Sequence, residues 1–233
     1  MVKIGRIDIM TEVSMVASHL AMPRDGHMDA VLHVFAYLKK KYNSRLALDP
    51  TYPTINMDKF KEHDWKQFYC DVKEAKPLNA PEPRGKEVDI QMYVDSDHAG
   101  DKAVRRSRTG FMIFMDMALI QAISKKEATI EPSVFGAEFV AMKHGLELLR
   151  GLMYKLRMMS VPIAGPSYIY GDIMSVIHNN QRPESTLKKK SHLLCYHSIR
   201  ARLLPIYSRS FALFGAKRRN LVSEILYDIH DDH

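Results

Sequence analysis

Asp95, Glu138 and Asp172 stand where an acidic side chain is costly, and three such groups brought together would hold a hard divalent cation. Asp95 ends the alternating run Val88-Asp89-Ile90-Gln91-Met92-Tyr93-Val94, in which Val88, Ile90, Met92 and Val94 share one face of a half-buried strand. Glu138 falls on an expected helix with Val134, Ala141, Met142 and Gly145 at i−4, i+3, i+4 and i+7, and so shares a small, apolar face. A lone carboxylate buried there costs several kcal/mol unless something pairs with it. Asp172 closes the apolar segment Tyr168-Ile169-Tyr170 and precedes a helix-like stretch from Ile173 to His178. Oxygen ligands without a His or Cys cluster favour Mg²⁺ or Mn²⁺ over zinc. Taken singly, each acid is ordinarily a cap or a surface group.

The elements that must position these groups follow from periodicity. Two amphipathic helices are expected between residues 6 and 42, broken at Met22-Pro23-Arg24-Asp25-Gly26, the second carrying Met28, Val31, Leu32, Phe35 and Leu38 on one side. Pro50, Pro53, Pro77, Pro81 and Pro83 make a helix improbable from there to Gly85, so a linker is placed over 51–86. After Asp95 come two further strand-like runs, from Gly110 to Met115 and from Ala118 to Ser124, making a three-stranded meander. Ser133 is an N-cap candidate for a long helix reaching about Met159, and Pro162, Gly165 and Pro166 punctuate the chain before the Tyr168 strand. The expected order is strand, strand, strand, helix, strand, helix.

The 233 residues, 46% of them hydrophobic, suffice for one good core, and the net charge of +7 is unevenly spread. From Ile173 to Ser223 ten Lys or Arg (Arg182, Lys188, Lys189, Lys190, Arg200, Arg202, Arg209, Lys217, Arg218, Arg219) face one acid, Glu184. Such a run either lies on phosphates or forms a solvated tail. Two cysteines, Cys70 and Cys195, make neither a disulfide framework nor a zinc knuckle. The start lacks a signal-peptide apolar region and the most apolar stretch, Phe111 to Ile123, is too short to span a bilayer, so an intracellular protein, cytoplasmic or nuclear, is expected.

Several short stretches, in order over roughly 90 to 200, resemble the ribonuclease H domain of copia-type LTR retrotransposon polyproteins. They are Tyr93-Val94-Asp95-Ser96-Asp97-His98-Ala99-Gly100-Asp101, Arg106-Ser107-Arg108-Thr109-Gly110-Phe111, Ser124-Lys125-Lys126, Gly136-Ala137-Glu138-Phe139-Val140-Ala141, Gly171-Asp172 with Ser175, and Tyr196-His197 with Ile199-Arg200. Upstream, Arg6-Ile7-Asp8-Ile9 with Val13, then His27 and Tyr37-Leu38-Lys39, are similar to the end of the copia-type reverse transcriptase. The resemblance implies a ribonuclease H-like α/β fold, a mixed five-stranded sheet flanked by helices. It makes 1–50 a helical remnant of the reverse transcriptase thumb, 87–200 the ribonuclease H-like domain and 201–233 a divergent C-terminal tail.

The resemblance assigns Asp95, Glu138 and Asp172 as catalytic, metal-binding carboxylates holding two Mg²⁺ roughly 4 Å apart, and their joint order outweighs the cap-or-surface alternative. The activity implied is Mg²⁺-dependent endonucleolytic cleavage of the RNA strand of RNA–DNA hybrids, with the polymerase portion of a reverse transcriptase as a partner. Lys188, Lys189, Lys190, His197 and Arg200 are the nucleic-acid-binding candidates, expected on the hybrid backbone because an A-like duplex hides its base edges. The sequence also departs from the family. Ser191 and Leu193 stand where a His and an Asp are usual, and the expected fourth carboxylate is absent: no Asp or Glu occurs from Ser185 through Ser223. Ser223-Glu224-Ile225-Leu226 imitates that motif, making Glu224 a weak candidate. These departures keep open an alternative, a catalytically inactive nucleic-acid-binding or interaction remnant.

Overall fold

The computed structural model describes residues 5–44, 46, 48–55, 77–101, 104–172, 174–182, 184–187, 192–203 and 211–215. Its helices are α1 (Met10–Ala17), α2 (Asp25–Lys40), α3 (Val134–Met158), α4 (Met174–Gln181) and α5 (Leu193–Leu203), and its strands β1 (Ile90–Asp97), β2 (Arg108–Met115), β3 (Ala118–Lys126), β4 (Ser167–Gly171) and β5 (Phe211–Gly215). The strands form one mixed sheet in the order β3-β2-β1-β4-β5. The β1–β2 and β2–β3 pairs are antiparallel, as tight connections allow, whereas β4 joins β1 in parallel through the crossover helix α3. The chain is thus a mixed α/β fold with helices flanking the sheet.

The core lies between the sheet and α3, with Ile90, Met92, Val94, Phe111, Ile113 and Ile169 from the strands meeting Phe139, Met142, Leu146, Leu149 and Met153 from the helix. The alternation read for β1 is kept from Met92 onward, Gln91 being buried as well, and the strand runs on to Asp97, so that Asp95 sits inside it rather than at its end. Ser133 caps α3 as expected, its Oγ accepting from Gly136 N at 3.1 Å. Gly145 marks where α3 comes nearest the sheet: a Cβ there would stand 3.0 Å from both Met92 Cε and Val94 Cγ2 and 3.2 Å from Phe111 Cε1.

The tail expected over 201–233 is corrected at two places. Helix α5 continues to Leu203, and Phe211–Gly215, whose fold the sequence left open, is an edge strand parallel to β4 from Ser167↔Phe211 to Gly171↔Gly215. The strand was hidden because five residues flanked by basic chain carry too few alternations to register as a period.

The first N-terminal helix, α1, docks on the other edge, with α2 packed against it. Ser14 on α1 donates to the Ser124 carbonyl of β3 at 2.8 Å, and Arg108 of β2 donates to Ser14 Oγ at 2.6 Å and to Ser18 Oγ at 3.0 Å. Of the expected 51–86 linker, residues 56–76 lie outside the described residues. Its ends lie against the body: Met117 N donates to the Thr51 carbonyl at 3.1 Å and the Tyr52 hydroxyl to the Glu87 carbonyl at 2.7 Å. Among the described residues no helix is long and apolar enough to cross a membrane.

Candidate metal centre

The pairing of β1 with β4 brings two of the three acids together. Their parallel register matches Met92 with Ile169 and Tyr93 with Tyr170; carried two residues further, it sets Asp172 beside Asp95. The register with β2 places Gly110 opposite Asp95, where an added Cβ would meet nothing within 4 Å, so the space beside the carboxylate stays open. Glu138 comes from α3, one turn in from the Ser133 cap, and is 5% exposed.

A single backbone amide ties the cluster. Ser96 N lies 3.0 Å from Asp95 Oδ1 and 3.1 Å from Glu138 Oε1, so one donor orients two carboxylates that would otherwise repel. One oxygen from each of Asp95, Glu138 and Asp172 lies within 4.8 Å of the other two. Like charges this close cost about 4 kcal/mol per pair at an effective dielectric of 20, an expense that a bound dication removes. The donor set fits the group implied: three carboxylates, part-buried and open on one side, without imidazole or thiol, suit Mg²⁺ or Mn²⁺.

The nucleic-acid candidates are placed differently from one another. His197 is exposed on α5, its ring edge-on to Tyr196 with centroids 5.2 Å apart. Lys188, Lys189, Lys190 and Glu224 lie outside the described residues. The expectation for Arg200 is corrected, since it is 2% exposed and its guanidinium donates to the Ser185 carbonyl at 2.8 Å and the Arg182 carbonyl at 3.1 Å while lying over the Tyr196 ring. It clamps the chain between α4 and α5 rather than facing solvent. Replacing it should therefore act on stability: we expect Arg200→Ala to cost about 1.5–3 kcal/mol by chemical denaturation, because a buried guanidinium and its two part-buried bonds to carbonyls are lost, and Arg200→Lys to recover little, because an ammonium lacks the planar fork.

Sequence reasoning missed a buried carboxylate that ties β2 and the end of β3 to α3. Glu127, just beyond β3, is 5% exposed; it accepts from Thr109 Oγ1, and its second oxygen lies 3.6 Å from His144 Nδ1 on α3. Burial pushes the Glu127 carboxyl up, but His144, Thr109 and Lys125 outweigh burial and hold it below the usual carboxylate range. A depressed carboxylate contributes stability that is full above the unfolded-state value and lost as pH falls through the folded one. Glu127→Gln should therefore lower stability at pH 7 by about 1–2 kcal/mol, with the difference from the parent shrinking as pH falls below the ordinary carboxylate range; urea unfolding at several pH values measures it. The signal available in the sequence was a carboxylate next to the strand end Lys125-Lys126, too common a pattern to single out.

Beneath the site, Tyr93 and Tyr170 stack across β1 and β4 with centroids 4.6 Å apart and an interplanar angle of 12°. Burial pushes the Tyr93 phenol up to about 12, and burial with the neighbouring phenols raises Tyr170 as well, so both stay neutral in the physiological range.

No protein-family model matches the sequence. Solved structures similar to the chain include LC11-RNase H1 in complex with an RNA/DNA hybrid, at 15% identity and a TM-score of 0.44 over 55% of this chain and 86% of that one. The N-terminal RNase H domain of Rv2228c from Mycobacterium tuberculosis, solved as a fusion with maltose-binding protein, is similar at 13% identity and a TM-score of 0.45 over 62% of this chain and 95% of that one. The foamy viral protease-reverse transcriptase in complex with an RNA/DNA hybrid is similar at 12% identity and a TM-score of 0.39, covering 66% of this chain and 21% of that one. The chemistry open to the site rests on the three carboxylates.

Proposed function

We propose that the chain is a retrotransposon-derived, divalent-metal-dependent ribonuclease H-type endonuclease that cuts the RNA strand of RNA–DNA hybrids. The observation that carries this is the approach of Asp95, Glu138 and Asp172 to within 4.8 Å around the Ser96 amide at the end of a mixed sheet. When bound, Mg²⁺ supplies Lewis-acid activation of a water and neutralises charge on the scissile phosphate. Asp95, Glu138 and Asp172 would hold it; Ser96 N–H fixes two of them, and the open space opposite Asp95 at Gly110 leaves room for a phosphate. Exposed His197 and the lysines Lys188, Lys189 and Lys190 would contact the hybrid backbone, with slight sequence preference because an A-like duplex offers its backbone and 2′-hydroxyls rather than its base edges. In this reading 1–50 derives from a reverse transcriptase thumb, the ribonuclease H-like unit runs from 87 through β5, and the polymerase portion of a reverse transcriptase is its partner.

The test is a titration of Mg²⁺ and Mn²⁺ on purified protein with labelled hybrid, duplex RNA and duplex DNA. Cleavage of the RNA strand of the hybrid alone is expected, with Mn²⁺ effective at lower concentration because oxygen and nitrogen sites generally bind it somewhat more tightly. The acid-free stretch from Ser185 to Ser223 favours a second reading, an inactive binding module. Hybrid binding without cleavage in either metal would put that reading in front. If Lys188, Lys189 and Lys190 touch phosphates, replacing all three by Ala should flatten the log–log salt dependence of hybrid affinity by roughly 0.7–0.9 per lost contact, read by fluorescence anisotropy.

A further inference from the structure

Glu131 and His192 take no part in the chemistry above, yet their placement is specific. His192, at the start of α5, is 3% exposed, and its Nδ1 lies 3.7 Å from Glu131 Oε2 on the loop that leads into α3. The other carboxylate oxygen of Glu131 accepts from Thr129 Oγ1 at 3.0 Å, and its carbonyl meets His98 Nε2, beyond β1, at 3.0 Å. The imidazole rests directly on the first turn of α3. A Cβ at Gly136 would lie 2.5 Å from His192 Cε1, 2.8 Å from its Nε2 and 2.9 Å from Glu131 Oε2. Alanine is favoured over glycine inside a helix by about 1 kcal/mol, so the glycine at this position is explained by the ring it admits. Phe135 closes the edge, its ring centroid 6.1 Å from that of His192.

This contact joins two parts of the proposed site. Gly136 lies two residues before Glu138 on α3, and His192 lies five residues before the exposed His197 on α5. A buried imidazole and a half-buried carboxylate each offset the desolvation of the other only while they stay together. We infer that Glu131 and His192 are a positioning pair that pins the start of α5 to the first turn of α3 and so holds the phosphate-facing side of α5 in register with the carboxylates. The inference rests on the proposed function for its consequence in binding, but not for the pin itself.

The experiment measures two things on the full chain carrying Glu131→Ala, His192→Leu, both together, Glu131→Gln or Gly136→Ala. The first is amide hydrogen exchange in α5 and in β1, which reports local opening without any need for activity. The second is affinity for an RNA–DNA hybrid with KM and kcat for its cleavage. Glu131→Ala and His192→Leu should each raise α5 exchange about tenfold, as the loss of a contact to a charged partner does, while β1 exchange stays at the parent level. The double variant should match the singles within about twofold, because the pair acts as one unit. Glu131→Gln, which keeps an acceptor, should recover most of the loss, and Gly136→Ala, which evicts the ring, should reproduce it. Hybrid affinity should fall and KM rise severalfold with kcat unchanged. Parent-level exchange in α5, or an equal rise in β1 and α5, overturns the pin. Raised α5 exchange with unchanged hybrid affinity overturns its part in binding. Raised α5 exchange in a chain whose parent neither binds nor cleaves hybrid strikes the proposed function and leaves the pin standing.

Discussion

Asp95→Asn, Glu138→Gln and Asp172→Asn should each reduce hybrid cleavage by about a hundred- to thousandfold, the scale on which one lost electrostatic contributor is felt in a preorganised site. Each substitution keeps shape and most hydrogen bonding while deleting one of three negative charges that lie within 4.8 Å of each other. Glu138→Gln is the most informative, because Oε1 can still accept from Ser96 N and the fold is held as before. The same variants should be more stable than the parent in the absence of metal, by about 1–3 kcal/mol, since part of the mutual repulsion is removed. Millimolar Mg²⁺ should then raise the Tm of the parent and leave the variants nearly unchanged, because only the native carboxylate set gains from binding. Loss of activity accompanied by loss of stability would mean that the three acids support the fold and do not form a cation site. Cleavage surviving in all three would identify a contaminant.

A second large effect, on stability, is expected at Gly145. Leucine there must displace Met92, Val94 or Phe111, all of which lie within 3.2 Å of the position a Cβ would take, and the cost should be about 3 kcal/mol, at the upper end of overpacking penalties. Glu138 stands seven residues earlier on α3, two turns along the same face. Lifting the helix off the sheet therefore also withdraws Glu138 from the Ser96 amide, and residual folded protein should cleave poorly. Gly151 supplies the control on the same helix: it is exposed, with nothing within 4 Å of an added Cβ, so Gly151→Ala should stabilise by about 0.5–1 kcal/mol. Denaturant midpoints for the two variants should move in opposite directions. Equal, small shifts would show that α3 does not approach the sheet closely at Gly145.

How far the sequence disclosed this arrangement varies from residue to residue for physical reasons. The β1 alternation and the Ser133 cap of α3 were legible because each is encoded within a few neighbouring residues. The apolar face that Glu138 shares with Met142 and Gly145 was legible too, and it faces the sheet. Where the three acids meet depends on the β1–β4 register, a pairing of residues nearly eighty apart that no local period specifies; the family resemblance supplied it. Arg200 misled because a guanidinium reads as a surface group by type, whereas here it is buried and its planar fork reaches two carbonyls. Gly136 carried a signal that was passed over: a glycine early in a long helix marks a close approach, and His192 is what approaches.

The docking of α1 on β3 has a consequence for the behaviour of the molecule in a crowded solution. Strand β3 is a nine-residue edge, and an uncovered edge of that length offers its free amides and carbonyls to any other extended chain. Ser14 occupies the Ser124 carbonyl from the side, and Arg108 fastens Ser14 and Ser18 in place, so a foreign strand meets a helix where it would need a partner. The first N-terminal helix, which contributes none of the three carboxylates, thus covers part of an open sheet edge, and a chain begun after it should associate edge to edge more readily than the full chain.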